Sequence, residues 1–324
     1  MKRRIFDENI AGSAAGTLGK AIFFMTIRSL NHPRPILSAV RMSLTDLRRS
    51  LAPSFVTVLL WGGLLWGQAP DLRPPETPQQ QPPTTQQNAP LNPKLPTVFI
   101  VGDSTARNQA DLGWGDHFAH FFDTGRINVA NRARAGRSSR TYRKEGAWDA
   151  VLAEMKAGDS VLIQMGHNDG GDLDGAKPRG TLKGLGEESK EVVLPNGEHE
   201  TVHTYGWYLR QYIAEARAKG AQPVLLTLTV RNIWANGRIE RDMGYDAELR
   251  QLAGEQHVPL VDMGSIAADR FEAMGQQKTA LLFPKDHTHT SAEGAELNAE
   301  AVVDALKAAH SPLVSYLNPA SSTP

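Results

Sequence analysis

Beyond residue 96 the chain becomes a succession of short apolar runs separated by longer mixed stretches. The apolar runs are "TVFIVG" from Thr97, "INVANRA" from Ile127, "SVLIQMG" from Ser160, "PVLLTLT" from Pro223 and "VPLVDM" from Val258. None alternates cleanly between apolar and polar positions, which is the pattern of strands buried on both faces. Between them lie helical stretches near 115–122, 146–157, 204–219, 244–256, 265–275 and 291–309. This repetition predicts an α/β fold, a three-layer α/β/α sandwich with a five-stranded parallel sheet. Ligands of such folds sit at the carboxyl ends of the strands.

Upstream the pattern is different. "RRSLAPSFVTVLLWGGLLWGQAP" has the charged start, apolar middle (51–66) and small residues before a cleavage point that mark an export signal. The same run is long enough to serve as a membrane tether. Met42 stands at the usual distance before it, so residues 1–41 read as an upstream extension and 42–69 as signal peptide or anchor. Residues 70–96 are rich in Pro, Gln and Thr with little to bury, the composition of an extended linker. Residues 97–324 are left as one domain, expected to be monomeric. It would be secreted or periplasmic, or held outside the cytoplasm by an uncleaved anchor.

Charge narrows the partners. The 324 residues carry no formal net charge, but the balance is uneven. The first 50 residues hold nine Lys/Arg against three Asp/Glu, whereas residues 97–324 hold 24 against 30. A mildly acidic domain argues against nucleic-acid binding. The absence of cysteine removes disulfides, thiolate catalysis and Cys-based zinc sites.

Candidate chemistry follows the strands. The first runs into Gly102, Asp103, Ser104 and Thr105, which sets a serine just past a rigid strand. A serine needs a base, a group that orients the base, and donors for an oxyanion. "RARAGRSSR" after the second strand offers the backbone N–H of Gly136. "MGHNDGG" after the third offers the Asn168 side chain. "FPKDHTHTSAEG" offers Asp286 and His289, three apart and able to face the sheet from one tight turn.

Four blocks in this order resemble the SGNH (GDSL-type) hydrolases, named for a Ser, a Gly, an Asn and a His. The resemblance implies a flavodoxin-like sheet order and a serine esterase without cofactor or metal. It makes Ser104 the nucleophile, His289 the base and acid, and Asp286 its orienting partner. The oxyanion hole would be the N–H groups of Ser104 and Gly136 with the Asn168 amide. Thr105 replaces the family's leucine at a position that should point away from the chemistry. "VHTYGWYLRQYI", "LTVRNIW" and "DHTHTS" further resemble the rhamnogalacturonan acetylesterases, which remove acetyl groups from pectin backbones. An acetylated polysaccharide is then the expected partner. Trp114 could stack on a sugar or equally belong to the core, while Arg231 and Asn232, after the fourth strand, could reach the cleft. Arg231 could meet a uronate carboxylate through its planar fork.

Rival readings remain in view. An esterase of the same fold could act on other acylated glycans or lipids, and a non-catalytic carbohydrate-binding module could keep the fold without the activity. The α/β-hydrolase alternative needs "GxSxG", which is absent. "HETVH" from His199 matches a zinc-protease string, but that chemistry requires a helix. The Pro-Asn-Gly before it and the flanking valines predict a hairpin at the rim of the cleft instead.

Overall fold

Strand β1 (Thr97–Gly102) is buried along its whole length, because helices cover both faces of the sheet it belongs to. Val98 and Ile100 enter one hydrophobic cluster and Phe99 and Val101 enter the other. That division explains the unbroken apolar run. Removing a buried ring such as Phe99 would cost about 3–5 kcal/mol.

In this computed structural model residues 90–319 are described. The expected extension, the signal or tether, the linker as far as residue 89 and the last five residues lie outside them. Among the described residues no helix is long and apolar enough to cross a membrane.

After β1 come β2 (Asn128–Asn131), α1 (Ser139–Lys144), α2 (Ala147–Glu154) and β3 (Ser160–Gln164). The hairpin β4 (Ser189–Val193) and β5 (His199–His203) leads into α3 (Tyr205–Ala218) and β6 (Gln222–Leu226). A small hairpin, β7 (Trp234–Ala235) and β8 (Arg238–Ile239), precedes α4 (Asp246–Gln256) and β9 (Leu260–Val261). The chain closes with α5 (Met263–Met274), α6 (Gln276–Leu281) and α7 (Ala292–Ala308).

The main sheet has the order β2-β1-β3-β6-β9, with every pairing parallel. This is the flavodoxin-like order, and it brings the ends of β2 and β3 to either side of β1. Cluster membership assigns α5 and α7 to one face and α1 to α4 to the other. The expected five strands and three layers are therefore present.

One local expectation needs correction, and two elements were not expected. Residues 115–122 form two short 3₁₀ turns rather than a helix. Gly115 lies so close to the Ala106 carbonyl and the Asn131 side chain that a Cβ there would collide, and its N–H donates to Ala106 O at 2.9 Å. The segment follows the nucleophile loop instead of its own helical ladder. Helix α1 carries no apolar stripe, since its buried residues are Ser139, Arg140, Thr141 and Tyr142; Ser138 starts it with a reciprocal capping box. Hairpin β7–β8 turns on Asn236 and Gly237, both at positive φ (51° and 75°), the Asn-Gly signature of a two-residue hairpin.

Helix α7 is tied to the 111–121 segment through Glu296. Its carboxylate lies 2.8 Å from His117 Nδ1 and 2.9 Å from His120 Nε2. Burial opposes the charge on both sides of this contact. The bonds from the two histidines nonetheless hold Glu296 at about 2, and Glu296 together with the Asp111 carbonyl raises His117 above its usual value.

Candidate active site

Gly102 ends β1 opposite Gln164. A Cβ at this position would sit 3.1 Å from both Ala106 Cβ and the Gln164 carbonyl, a tight fit that favours glycine where the strand turns. The turn is held from inside. Asp103 is fully buried, and its Oδ1 accepts from the Thr105 N–H at 2.8 Å and the Thr105 hydroxyl at 2.9 Å. Thr105 also donates to Gln164 Oε1 at 3.2 Å, so it points into the interior as expected. Ser104 is left facing outward, half-buried.

Ser104 Oγ lies 2.8 Å from His289 Nε2, and His289 Nδ1 lies 2.8 Å from Asp286 Oδ2. A carboxylate can only accept, so Nδ1 carries the proton and Nε2 is free to accept from the serine hydroxyl. Asp286 is itself fixed, its Oδ1 accepting the N–H groups of Thr288 and His289 at 2.7 and 2.8 Å. Burial works against its charge. The bonds from the His289 side chain and from both backbone N–H groups outweigh burial and hold the carboxyl at about 2. The turn "KDHTH" thus orients the imidazole of His289 through one acidic side chain, and Ser291 caps α7 two residues later.

The donors expected for an oxyanion converge on the same end of the sheet. Gly136 has φ +78°, the left-handed region that glycine occupies at low cost. Among the described residues neither the Gly136 N–H nor the Ser104 N–H donates a hydrogen bond. Asn168 is buried, and its Nδ2 donates to Arg137 O at 2.9 Å. An amide nitrogen has two N–H groups, so one locks the side chain onto the Gly136 loop and the other remains for a ligand.

Neighbours that the sequence did not single out hold these groups. Asp169, next to Asn168, is buried and accepts the Ser139 N–H at 3.1 Å and the Ser139 hydroxyl at 2.5 Å. It straps the end of β3 to the loop carrying Gly136. Burial pushes its carboxyl up to about 7 against those bonds. His167 Nε2 lies 2.9 Å from Thr229 Oγ1, while its buried Nδ1 has no partner. Burial holds this imidazole below its usual value. The only local signals for the two were the acid and the histidine beside Asn168 in "GHND".

The remaining candidates divide. Trp114 is completely buried, and its Nε1 donates to Gln164 Oε1 at 2.7 Å. It is a core residue beneath the nucleophile loop and cannot stack on a sugar. Arg231 stands past β6 with no carboxylate partner among the described residues, and its buried Nε lacks a hydrogen bond. Asn232 donates its backbone N–H to His287 O at 2.7 Å, which joins this loop to the turn of His289. Its Oδ1 accepts from Trp234 Nε1 at 2.8 Å, so that end of the side chain braces the loop.

"HETVH" is strand β5 of a hairpin, in register with β4 from Ser189 opposite His203 to Val193 opposite His199. His203 stacks on Trp207, and Glu200 is gripped by Arg140 through two bonds of 2.8 and 2.7 Å. Arg140 is buried and also donates to the carbonyls of Leu173 and Gly180. The glutamate of the zinc-like string is therefore the anchor of the hairpin.

The chain is similar to known proteins. Residues 100–297 match the GDSL-like Lipase/Acylhydrolase family. The rhamnogalacturonan acetylesterase of Emericella nidulans is 37% identical over 214 residues, covering 65% of this chain and 84% of that protein. The probable rhamnogalacturonan acetylesterase YesY of Bacillus subtilis is 33% identical over 226 residues, covering 67% of this chain and 94% of that protein. The crystal structure of the Bacillus subtilis protein YxiM has a similar fold, with a TM-score of 0.54 at 24% identity; the alignment covers 67% of this chain and 58% of that one. Matched over more than half its length, this chain belongs to the GDSL-like lipase/acylhydrolase family and is a carboxylic ester hydrolase.

Proposed function

We propose that the chain is an exported acetylesterase that removes O-acetyl groups from a pectic polysaccharide, rhamnogalacturonan above all, through a Ser-His-Asp acyl-enzyme. The observation that carries the mechanism is the hydrogen-bonded series Ser104 Oγ, His289 and Asp286. The names of the relatives support the substrate. The charged, apolar and small-residue parts of residues 42–69 support export.

In this mechanism Ser104 Oγ attacks the acetyl carbonyl carbon as His289 Nε2 takes the hydroxyl proton. The carbonyl oxygen becomes an oxyanion among the Ser104 and Gly136 N–H groups and the free N–H of Asn168. Asp286 stabilises the imidazolium without being protonated, in keeping with its low value. Collapse breaks the ester bond, and the sugar hydroxyl leaves with the proton from His289. Water then gives its proton to His289 and attacks the acetyl-serine, which releases acetate and restores Ser104. Arg231, which has no carboxylate partner among the described residues, would meet a substrate carboxylate through its fork.

The test is acetate release from a panel of acetylated rhamnogalacturonan, homogalacturonan, xylan and peptidoglycan, with longer-chain esters alongside. The reading expects the highest kcat/KM on the pectic polymers. Release confined to xylan, to peptidoglycan or to long acyl chains would sink it.

A further inference from the structure

Most arginines of the described domain have a carboxylate partner, as in Arg137 with Glu145, Arg143 with Glu215 and Arg270 with Glu300 and Asp304. Arg126 and Arg217, towards the amino ends of the strands, have none but bond to carbonyls of Ser315, Gln256 and His257. The others without a carboxylate among the described residues are Arg107, Arg134, Arg179 and Arg231, and all four follow carboxyl ends of sheet strands. Arg107 and Arg134 do more than stand near each other. With Arg132 they line a cavity of about 140 Å³ whose floor includes Tyr142, Ala147 and Val151.

The cavity is built rather than incidental. Arg107 Nη1 donates to Asn131 O at 3.0 Å, and the Arg134 backbone N–H donates to Gly102 O at 3.0 Å. Tyr142 is fully buried, and its hydroxyl donates to Arg132 O at 2.5 Å. Burial raises the Tyr142 hydroxyl, and the positive charges of Arg134, Arg132 and Arg107, which line the same cavity, oppose that rise. Only Arg132 is neutralised, by Glu154 at 2.7 Å. Like charges gathered without a matching anion repel one another, and a bound anion would relieve that repulsion. The chain also fixes where this spot lies. Arg107 is three residues after Ser104 and Arg134 two before Gly136, so two of the cavity's walls belong to the loops that carry the nucleophile and one of the oxyanion donors.

We propose that the cavity of Arg107, Arg132 and Arg134 is a carboxylate subsite, which holds a uronate of the polysaccharide chain while a neighbouring sugar presents its ester to Ser104. The inference rests on the pectic reading above. Guanidinium forks suit carboxylates, and a polymer whose carboxylates recur along its length engages this subsite and Arg231 in one binding event. A neutral glycan has nothing to place there.

Calorimetric titration of the full chain with an unacetylated oligogalacturonate tests the subsite without any turnover. Arg134 is exposed, so R134Q should fold, and an unchanged thermal midpoint would verify that. We expect R134Q to weaken binding about ten-fold, or about 1.4 kcal/mol. R107Q/R134Q should weaken it further, and added salt should weaken the wild type most. Binding of a xylo-oligosaccharide should not respond to either substitution. The subsite alone is overturned if the wild type binds oligogalacturonate and R134Q binds it equally well, or if R134Q loses neutral and acidic ligands alike. If the wild type hydrolyses a chromogenic acetate yet binds no oligogalacturonate, the pectic reading falls and the subsite with it.

Discussion

His289 and His117 each hold Nδ1 2.8 Å from a carboxylate oxygen, one from Asp286 and the other from Glu296. The two pairs diverge at Nε2. In His289 that nitrogen faces the Ser104 hydroxyl, which can give up a proton. In His117 it lies 2.6 Å from the Asp111 carbonyl, which can only accept. Both neighbours of His117 are acceptors, so the protonated ring satisfies both contacts and neither nitrogen is offered to a proton donor. A histidine–carboxylate pair is thus an unreliable sign of catalysis until the far nitrogen is examined. The same contact serves proton transfer in one region and anchors α7 in the other.

The largest effect that would break this contrast comes from removing what His289 faces. Ser104→Ala should lower kcat on a chromogenic acetate by roughly 10⁵–10⁶ while circular dichroism stays native. Near-wild-type turnover by the folded variant would falsify the assignment. Asp286→Asn should come next, at roughly 10³–10⁴ in kcat, because an amide can no longer select the working tautomer. A loss under ten-fold would reduce Asp286 to a turn-former. For Asn168→Ala, a fall of about 10²–10³ in kcat with a smaller change in KM is expected, or ~3–4 kcal/mol of transition-state binding. His167→Ala should do far less, since that ring is bonded to Thr229 and not to the reacting groups. The reverse ranking would rebuild the site around His167.

His117→Gln should leave kcat within about two-fold and lower the thermal midpoint by a few degrees, from loss of about 1–3 kcal/mol of charge-assisted bonding. The sign with pH sharpens this test. His117 is raised above its ordinary 6.5, so its contribution is full below 6.5 and fades as pH climbs through the folded value. Glu296 is held at about 2 against an ordinary 4.5, so its contribution is full above 4.5 and fades towards pH 2. The stability gap between wild type and His117→Gln should therefore be widest between about pH 4.5 and 6.5. A gap that widens steadily up to pH 9 would mean that His117 is neutral.

The blocks around Ser104, Gly136 and Asn168 were readable because each follows a legible strand, and that of His289 because an acid and a histidine stand three apart in the turn before α7. The strands were legible because burial on both faces leaves an unbroken apolar run, as in "TVFIVG". What escaped depends on contacts distant in sequence. Trp114 looks the same in sequence whether its indole meets a sugar or the Gln164 side chain. Helix α1 was hidden because its inward face is polar, with Ser139 and Arg140 satisfied by Asp169 and Glu200 from distant loops. The Asn-Gly of β7–β8 was a readable hairpin signal, but its two-residue strands leave no alternation to support it.

The grip of Arg140 on Glu200 has a consequence for how this chain can vary. A buried guanidinium with its carboxylate removed is left uncompensated, a loss on the order of 3–5 kcal/mol. The β4–β5 hairpin therefore cannot be trimmed, grafted or exchanged as a free-standing accessory. Any shortened descendant or engineered chimera that discards Glu200 must replace residue 140 in the same step, together with whatever fills the space against the carbonyls of Leu173 and Gly180. Two segments sixty residues apart are in this sense a single heritable unit.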